Sequence, residues 1–159
     1  MRGKPVINHV ALTVDESLLQ GEKRERLKEF YGQVFGWTEI KQMTKDGKLF
    51  VFSLYRSGQF LYLLSGPKPS VMAGPDHFGI EVQTRKELDG MVARAKECKQ
   101  HLGKELQIID IKCDTETPDL RLWNAYVRYL LPCMVEVQFY EDKATGKTRT
   151  SMGWEQGEG

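Results

Sequence analysis

Two segments of this chain open on a histidine, continue as an alternating strand and are followed by the same succession of elements. Ile7-Asn8-His9-Val10-Ala11-Leu12-Thr13-Val14 and Asp76-His77-Phe78-Gly79-Ile80-Glu81-Val82 read as copies of each other. After the first comes a charged stretch in which Leu27, Phe30, Tyr31, Val34 and Phe35 recur at helical spacing, closed by Gly36. Strand patterns over 37–43, 48–55 and 59–64 follow, broken by Asp46-Gly47 and Ser57-Gly58 turns. The second copy repeats the order. A strand over 76–83 precedes a helix over 85–100 with Leu88, Met91, Val92 and Ala95 on its inner stripe, then strands over 106–112, 120–131 and 134–140. The chain is therefore predicted to be α+β, built as two tandem βαβββ modules. Module one covers residues 6–65 and module two residues 76–142. A Pro- and Gly-rich linker spans 66–75, and residues 143–159 form a polar tail without periodicity, expected to be flexible.

Such a repeat restricts where chemistry can sit. Each sheet turns one face to its own helix, so alternation assigns the other face. Phe78, Ile80 and Val82 belong to the helix side, leaving His77, Gly79 and Glu81 opposite. Val135, Val137 and Phe139 likewise leave Met134, Glu136 and Gln138 opposite, and His9 falls on the corresponding face of the first strand. Two imidazoles and one carboxylate on the free faces make a candidate divalent-metal site of His9, His77 and Glu136. Glu81 shares that face, as a partner orienting a ring N–H or as a plain surface residue.

Composition excludes several other classes. The 159 residues carry a formal net charge of +1, which offers no electrostatic case for nucleic acid or a membrane surface. The longest apolar runs are strand-sized, and the N-terminal Met1-Arg2-Gly3-Lys4-Pro5 lacks the apolar core of a secretory signal. Three cysteines without CxxC spacing suit a reducing cytosol better than a disulfide framework. His101 closes the second helix as a solvated residue, and no phosphate loop, nucleophile elbow or HExxH is present.

The chain resembles the vicinal oxygen chelate superfamily, which holds the glyoxalases, extradiol dioxygenases, methylmalonyl-CoA epimerases and bleomycin-resistance proteins. The likeness is carried by Asn8-His9-Val10, Phe30-Tyr31-Gly32-Gln33-Val34-Phe35-Gly36-Trp37, Asp76 to Val82 and Val135-Glu136-Val137, and it spans about residues 6–142. The resemblance implies a curved mixed sheet around a cleft, helices outside, a divalent metal in the cleft, a small-molecule substrate and a homodimer. It assigns His9 and His77 as first-strand ligands and Glu136 as a last-strand ligand. The fourth family position falls near Tyr62, where glyoxalases and epimerases carry Glu, Gln or His. The remaining two His and one carboxylate resemble the facial triad of extradiol dioxygenases, which implies Fe(II) or Mn(II), a chelating oxygen substrate and a substrate-contacting catalytic tyrosine at Tyr126. Phe60 and Tyr62 are expected as substrate-binding wall. Two alternatives stay open. One is an isomerase or lyase using Zn, Ni or Co. The other is a metal-free binding protein whose Phe60, Tyr62, Tyr126 and Tyr129 sequester a flat ligand.

Overall fold

The computed structural model describes residues 7–55 and 58–148. These fall into two compact units: one ends at Gly74 and also takes in Tyr129–Pro132, and the other begins at Pro75 and holds the rest. Each contains one four-stranded mixed sheet and one α-helix, the tandem βαβββ arrangement, and neither sheet closes into a barrel.

In the first unit β1 (His9–Val14), α1 (Gly21–Phe35), β2 (Thr38–Glu39), β3 (Leu49–Ser53) and β4 (Phe60–Ser65) form a sheet of order β1-β4-β3-β2. β1 and β4 run parallel, with His9 opposite Phe60 and Ala11 opposite Tyr62, while β3 pairs antiparallel with β4 and β2. α1 ends where the sequence requires. Gly36 takes a left-handed φ of 74° and donates its N–H to Gly32 O. The buried stripe of α1 meets the sheet through rings: Tyr31 lies 5.8 Å from Phe52 and stacks on Trp37 at 5.0 Å, 9° from parallel. The same unit clamps Tyr129–Pro132. Tyr31 Oη donates to Tyr129 O at 3.1 Å and accepts the Tyr129 N–H at 3.3 Å.

One strand is much shorter than its sequence pattern. The predicted strand over 37–43 survives only as Thr38–Glu39, because the chain turns at Ile40, whose carbonyl accepts N–H bonds from Met43 and Thr44. The Thr44 hydroxyl also donates to Ile40 O and accepts from Val51 N–H, a local bond that competes with the ladder.

The second unit holds β5 (His77–Glu81), α2 (Arg85–Leu102), β6 (Leu106–Glu116), β7 (Leu120–Tyr129) and β8 (Met134–Asp142), in the order β5-β8-β7-β6. α2 starts with a capping box in which Thr84 and Glu87 satisfy each other's backbone N–H groups. β5 and β8 are parallel, with His77 opposite Met134 and Gly79 opposite Glu136. β7 is antiparallel to β8 and sets Tyr126 opposite Glu136 and Asn124 opposite Gln138. Beyond β8 the chain turns back through an Asp142–Gly146 turn to a bridge between Glu141 and Thr148. Residues 149–159 and Ser57, part of a predicted turn, lie outside the described residues. Among the described residues no helix is long and apolar enough to cross a membrane.

The cysteines differ in exposure in a way that gives a direct test. Cys98 and Cys133 are buried, Cys113 is exposed on β6, and the described residues contain no disulfide. Burial holds the Cys133 thiol above its ordinary value, so its neutral form is favoured in the folded protein. The stability this gives is present below the unfolded thiol pKa, about 8.5, and is lost as pH rises past it. Native protein should therefore take up iodoacetamide at Cys113 alone, with the other two reacting only after denaturation. Fast native labelling at Cys133 would contradict the packing of the β7–β8 turn.

Candidate metal centre

The second unit brings two of the three predicted ligands together. His77 Nε2 stands 3.1 Å from Glu136 Oε2. Strand parity explains the meeting: both side chains leave the free face of adjacent parallel strands, with Gly79 directly opposite Glu136. A Cβ built at Gly79 would lie 3.4 Å from Glu136 Oε2, an ordinary contact distance.

Glu136 is 5% exposed, yet Asn124, Tyr126 and Gln138, which donate to it, are all neutral groups. On Oε1 it accepts Asn124 Nδ2 and Tyr126 Oη, both at 2.8 Å. On Oε2 it accepts Gln138 Nε2 at 2.9 Å. The Gln138 amide is itself oriented, because Tyr140 Oη donates to its Oε1 at 3.2 Å. Tyr126 is pushed up to about 12, first by burial and then by its bond to Glu136 and the charges of Glu136 and Asp114. At neutral pH it is therefore a phenol that donates, not a base. Tyr140 is also raised, by burial and by the charges of Glu81 and Glu136.

His77 is oriented from its other side. Its Nδ1 lies 2.7 Å from Pro75 O, a carbonyl that can only accept, so Nδ1 carries the proton and Nε2 is the atom turned to Glu136. The edge of the ring rests against Tyr126, with centroids 5.4 Å apart. An imidazole and a carboxylate serving one ion as neighbouring ligands, with bonds of about 2.1 Å, stand about 3 Å apart. The pair in this unit fits that spacing. Among the described residues no group of three His, Cys, Asp or Glu side chains stands together as a ligand cluster.

The first unit carries the equivalent positions with different chemistry. His9 Nδ1 lies 2.8 Å from Asn8 Oδ1, and the ring meets Tyr62 edge-on at 5.1 Å. Tyr62 pairs with Ala11 as Glu136 pairs with Gly79, so the register puts a phenol where the second module has its carboxylate. Phe60 lies 5.9 Å from Tyr62 on the same half-exposed face. Tyr129 requires a correction. Expected among the aromatic residues of a ligand cleft, it is fully buried, packed 4.8 Å from Phe30 with the Arg26 guanidinium 5.8 Å over its ring.

Asn124 was missed by sequence reasoning. The signal available was an amide in the otherwise apolar run Leu122 to Val127, two residues from Tyr126 and so on the same face; the structure buries it fully.

The family model for the glyoxalase/bleomycin resistance protein/dioxygenase superfamily matches residues 6–107. No curated protein matches the chain by sequence. Among solved structures, lactoylglutathione lyase from Agrobacterium tumefaciens is similar with a TM-score of 0.55 and 20% identity, covering 86% of this chain and 95% of that one. A genomically encoded fosfomycin resistance protein from Listeria monocytogenes has a TM-score of 0.57 and 14% identity, with 85% and 91% covered. A glyoxylase/bleomycin resistance protein/dioxygenase domain from Frankia sp. EAN1pec has a TM-score of 0.55 and 15% identity, with 86% and 98% covered. At such identities these likenesses concern the fold. Together with a family match over most of the chain, they lead to one conclusion: this protein belongs to the glyoxalase/bleomycin resistance protein/dioxygenase superfamily.

Proposed function

We propose that this chain is a metal-dependent enzyme acting on a small substrate that chelates through two oxygens. Among the chemistries of its superfamily we place it with the Fe(II) or Mn(II) dioxygenases, working as a homodimer in the cytosol. His77 and Glu136 are the ligands supported by geometry. His9 is proposed as the third because it repeats His77, opening the first strand of its module with Nδ1 engaged and Nε2 left over.

The observation that carries this reading is the geometry of the His77–Glu136 pair. With Nδ1 turned to Pro75 O, Nε2 and Glu136 Oε2 face each other at 3.1 Å, a separation that suits two neighbouring ligands of one ion. Tyr62 supports a ligand set of three, since a neutral phenol is a poor ligand at the position equivalent to Glu136. Three protein ligands would leave room on the ion for a bidentate substrate. When bound, the ion would supply Lewis-acid polarisation of the substrate oxygens and, as iron, dioxygen activation. The protein's own part is positioning. Asn124, Tyr126 and Gln138 hold the carboxylate, Pro75 O aims His77, and Phe60 and Tyr62 offer an aromatic wall to a planar substrate.

The test is anaerobic addition of a catechol to protein loaded with Fe(II), followed by oxygen. A visible absorption band and subsequent oxygen uptake are expected. Catechol binding that is indifferent to metal would overturn the reading in favour of a metal-free binding protein. Tight Zn or Ni with no oxygen uptake would move the chemistry to the isomerases and lyases.

A further inference from the structure

The donors around Glu136 are distributed unevenly, and the distribution bears on how a metal is held. Oε1 accepts two hydrogen bonds from β7, Asn124 Nδ2 and Tyr126 Oη, each at 2.8 Å. These occupy the lone pairs of that oxygen. Oε2 accepts one, from Gln138, and is the atom turned toward His77 Nε2. Asn124 is locked in this orientation. Its Nδ2 also lies 3.2 Å from Tyr126 Oη, and exchanging its amide O and N would set an oxygen against the carboxylate. The cost of holding it is visible, because the buried Asn124 Oδ1 has no hydrogen-bond partner among the described residues. The amide also reaches Asp114 on β6, but its donors at 2.8 and 3.2 Å go to Glu136 and Tyr126, which ties its orientation to the buried carboxylate.

We infer that Asn124 and Tyr126 are positioning residues that reserve Glu136 Oε2 as a single-oxygen metal ligand. This rests on the assignment of His77 and Glu136 as ligands. A carboxylate whose second oxygen is saturated by neutral donors keeps its charge but is denied two-oxygen coordination. Ca²⁺ takes about six to eight oxygens, often with a carboxylate bound through both, whereas first-row transition ions accept one carboxylate oxygen beside imidazole. A carboxylate held to one oxygen beside His77 therefore suits Mn(II), Fe(II), Co(II) or Zn(II) better than Ca²⁺. β7 reinforces the preference set by the imidazole, although it supplies no ligand itself.

The experiment titrates apo protein with Co(II), Zn(II) and Ca²⁺ by calorimetry, and records the Co(II) absorption spectrum, for wild type, Asn124→Leu and Tyr126→Phe. Denaturation of each apo protein is measured alongside. Wild type should bind Co(II) and Zn(II) but not Ca²⁺. Each variant should lose about 10- to 100-fold in transition-metal affinity with an altered Co(II) spectrum. Each variant should also lose some apo stability, because the buried Glu136 carboxylate gives up a donor, so affinities are compared on protein shown to be folded. Wild-type binding with unchanged affinity and spectrum in both variants would overturn the inference while leaving the ligand assignment standing. No binding of any ion by wild type would overturn both. Affinity lost only in proportion to a loss of fold would assign the two residues a structural role, against the inference.

Discussion

Replacing His77 by alanine should remove tight metal binding and leave the fold in place. The imidazole side chain is 37% exposed at the start of an edge strand, so its removal takes little apolar area out of the core. Glu136 keeps its bonds from Asn124, Tyr126 and Gln138, so the carboxylate is not abandoned without partners. Stability should change by no more than about 1 kcal/mol. Metal affinity should fall by more than the roughly 10- to 100-fold that follows loss of an outer partner. Calorimetric titration with Co(II) or Zn(II), beside urea denaturation of the apo protein, checks both halves. A variant that unfolds yet keeps its metal when folded would show His77 to be a packing residue.

Tyr129→Ala should do the reverse. Its ring is fully buried against Phe30 and Arg26, and its backbone is bonded both ways to the Tyr31 hydroxyl. Truncating a buried aromatic of this size costs about 3–5 kcal/mol in lost burial and a residual cavity. Denaturation followed by tryptophan fluorescence in a Trp123→Phe/Trp154→Phe background, which leaves Trp37 as the fluorophore, reads the event, since Trp37 stacks on Tyr31 in the same cluster. Tyr62→Ala, on a half-exposed face, is the control and should cost far less. A Tyr129→Ala protein as stable as wild type that binds planar ligands poorly would return Tyr129 to the ligand wall and refute the correction made above.

The fold was legible in the sequence wherever a local rule and the tertiary structure agreed. Gly36 ends α1 because only a residue at ease with positive φ closes the helix there, and the hydrophobic alternation of β5 and β8 placed His77 and Glu136 on one face. β2 was overestimated because the Thr44 hydroxyl bonds the Ile40 carbonyl, an interaction that alternation does not register. β6 runs on to Glu116, past the predicted end at Lys112, through exposed polar residues that carry no apolar period. Tyr129 is instructive in another way. It shares strand parity with the buried Ala125 and Val127, so alternation had already placed it on the core side, opposite to Tyr126. Grouping it with the ligand-facing aromatics followed residue type against the strand's own geometry. Asn124 escaped notice because its importance depends on the pairing of β7 with β8, which sets it opposite Gln138, from where its amide reaches the Glu136 carboxylate.

Whether a divalent ion is held through the proposed ligands His77, Glu136 and His9 is tested by elemental analysis of protein purified without an affinity tag, in wild type and in a His9→Ala/Glu136→Ala double variant. Close to one equivalent of Fe or Mn is expected in the wild type and none in the variant. Wild-type protein that stays metal-free after anaerobic reconstitution with Fe(II), Mn(II), Co(II) and Zn(II), yet binds a planar ligand as well as the double variant does, would contradict the proposal.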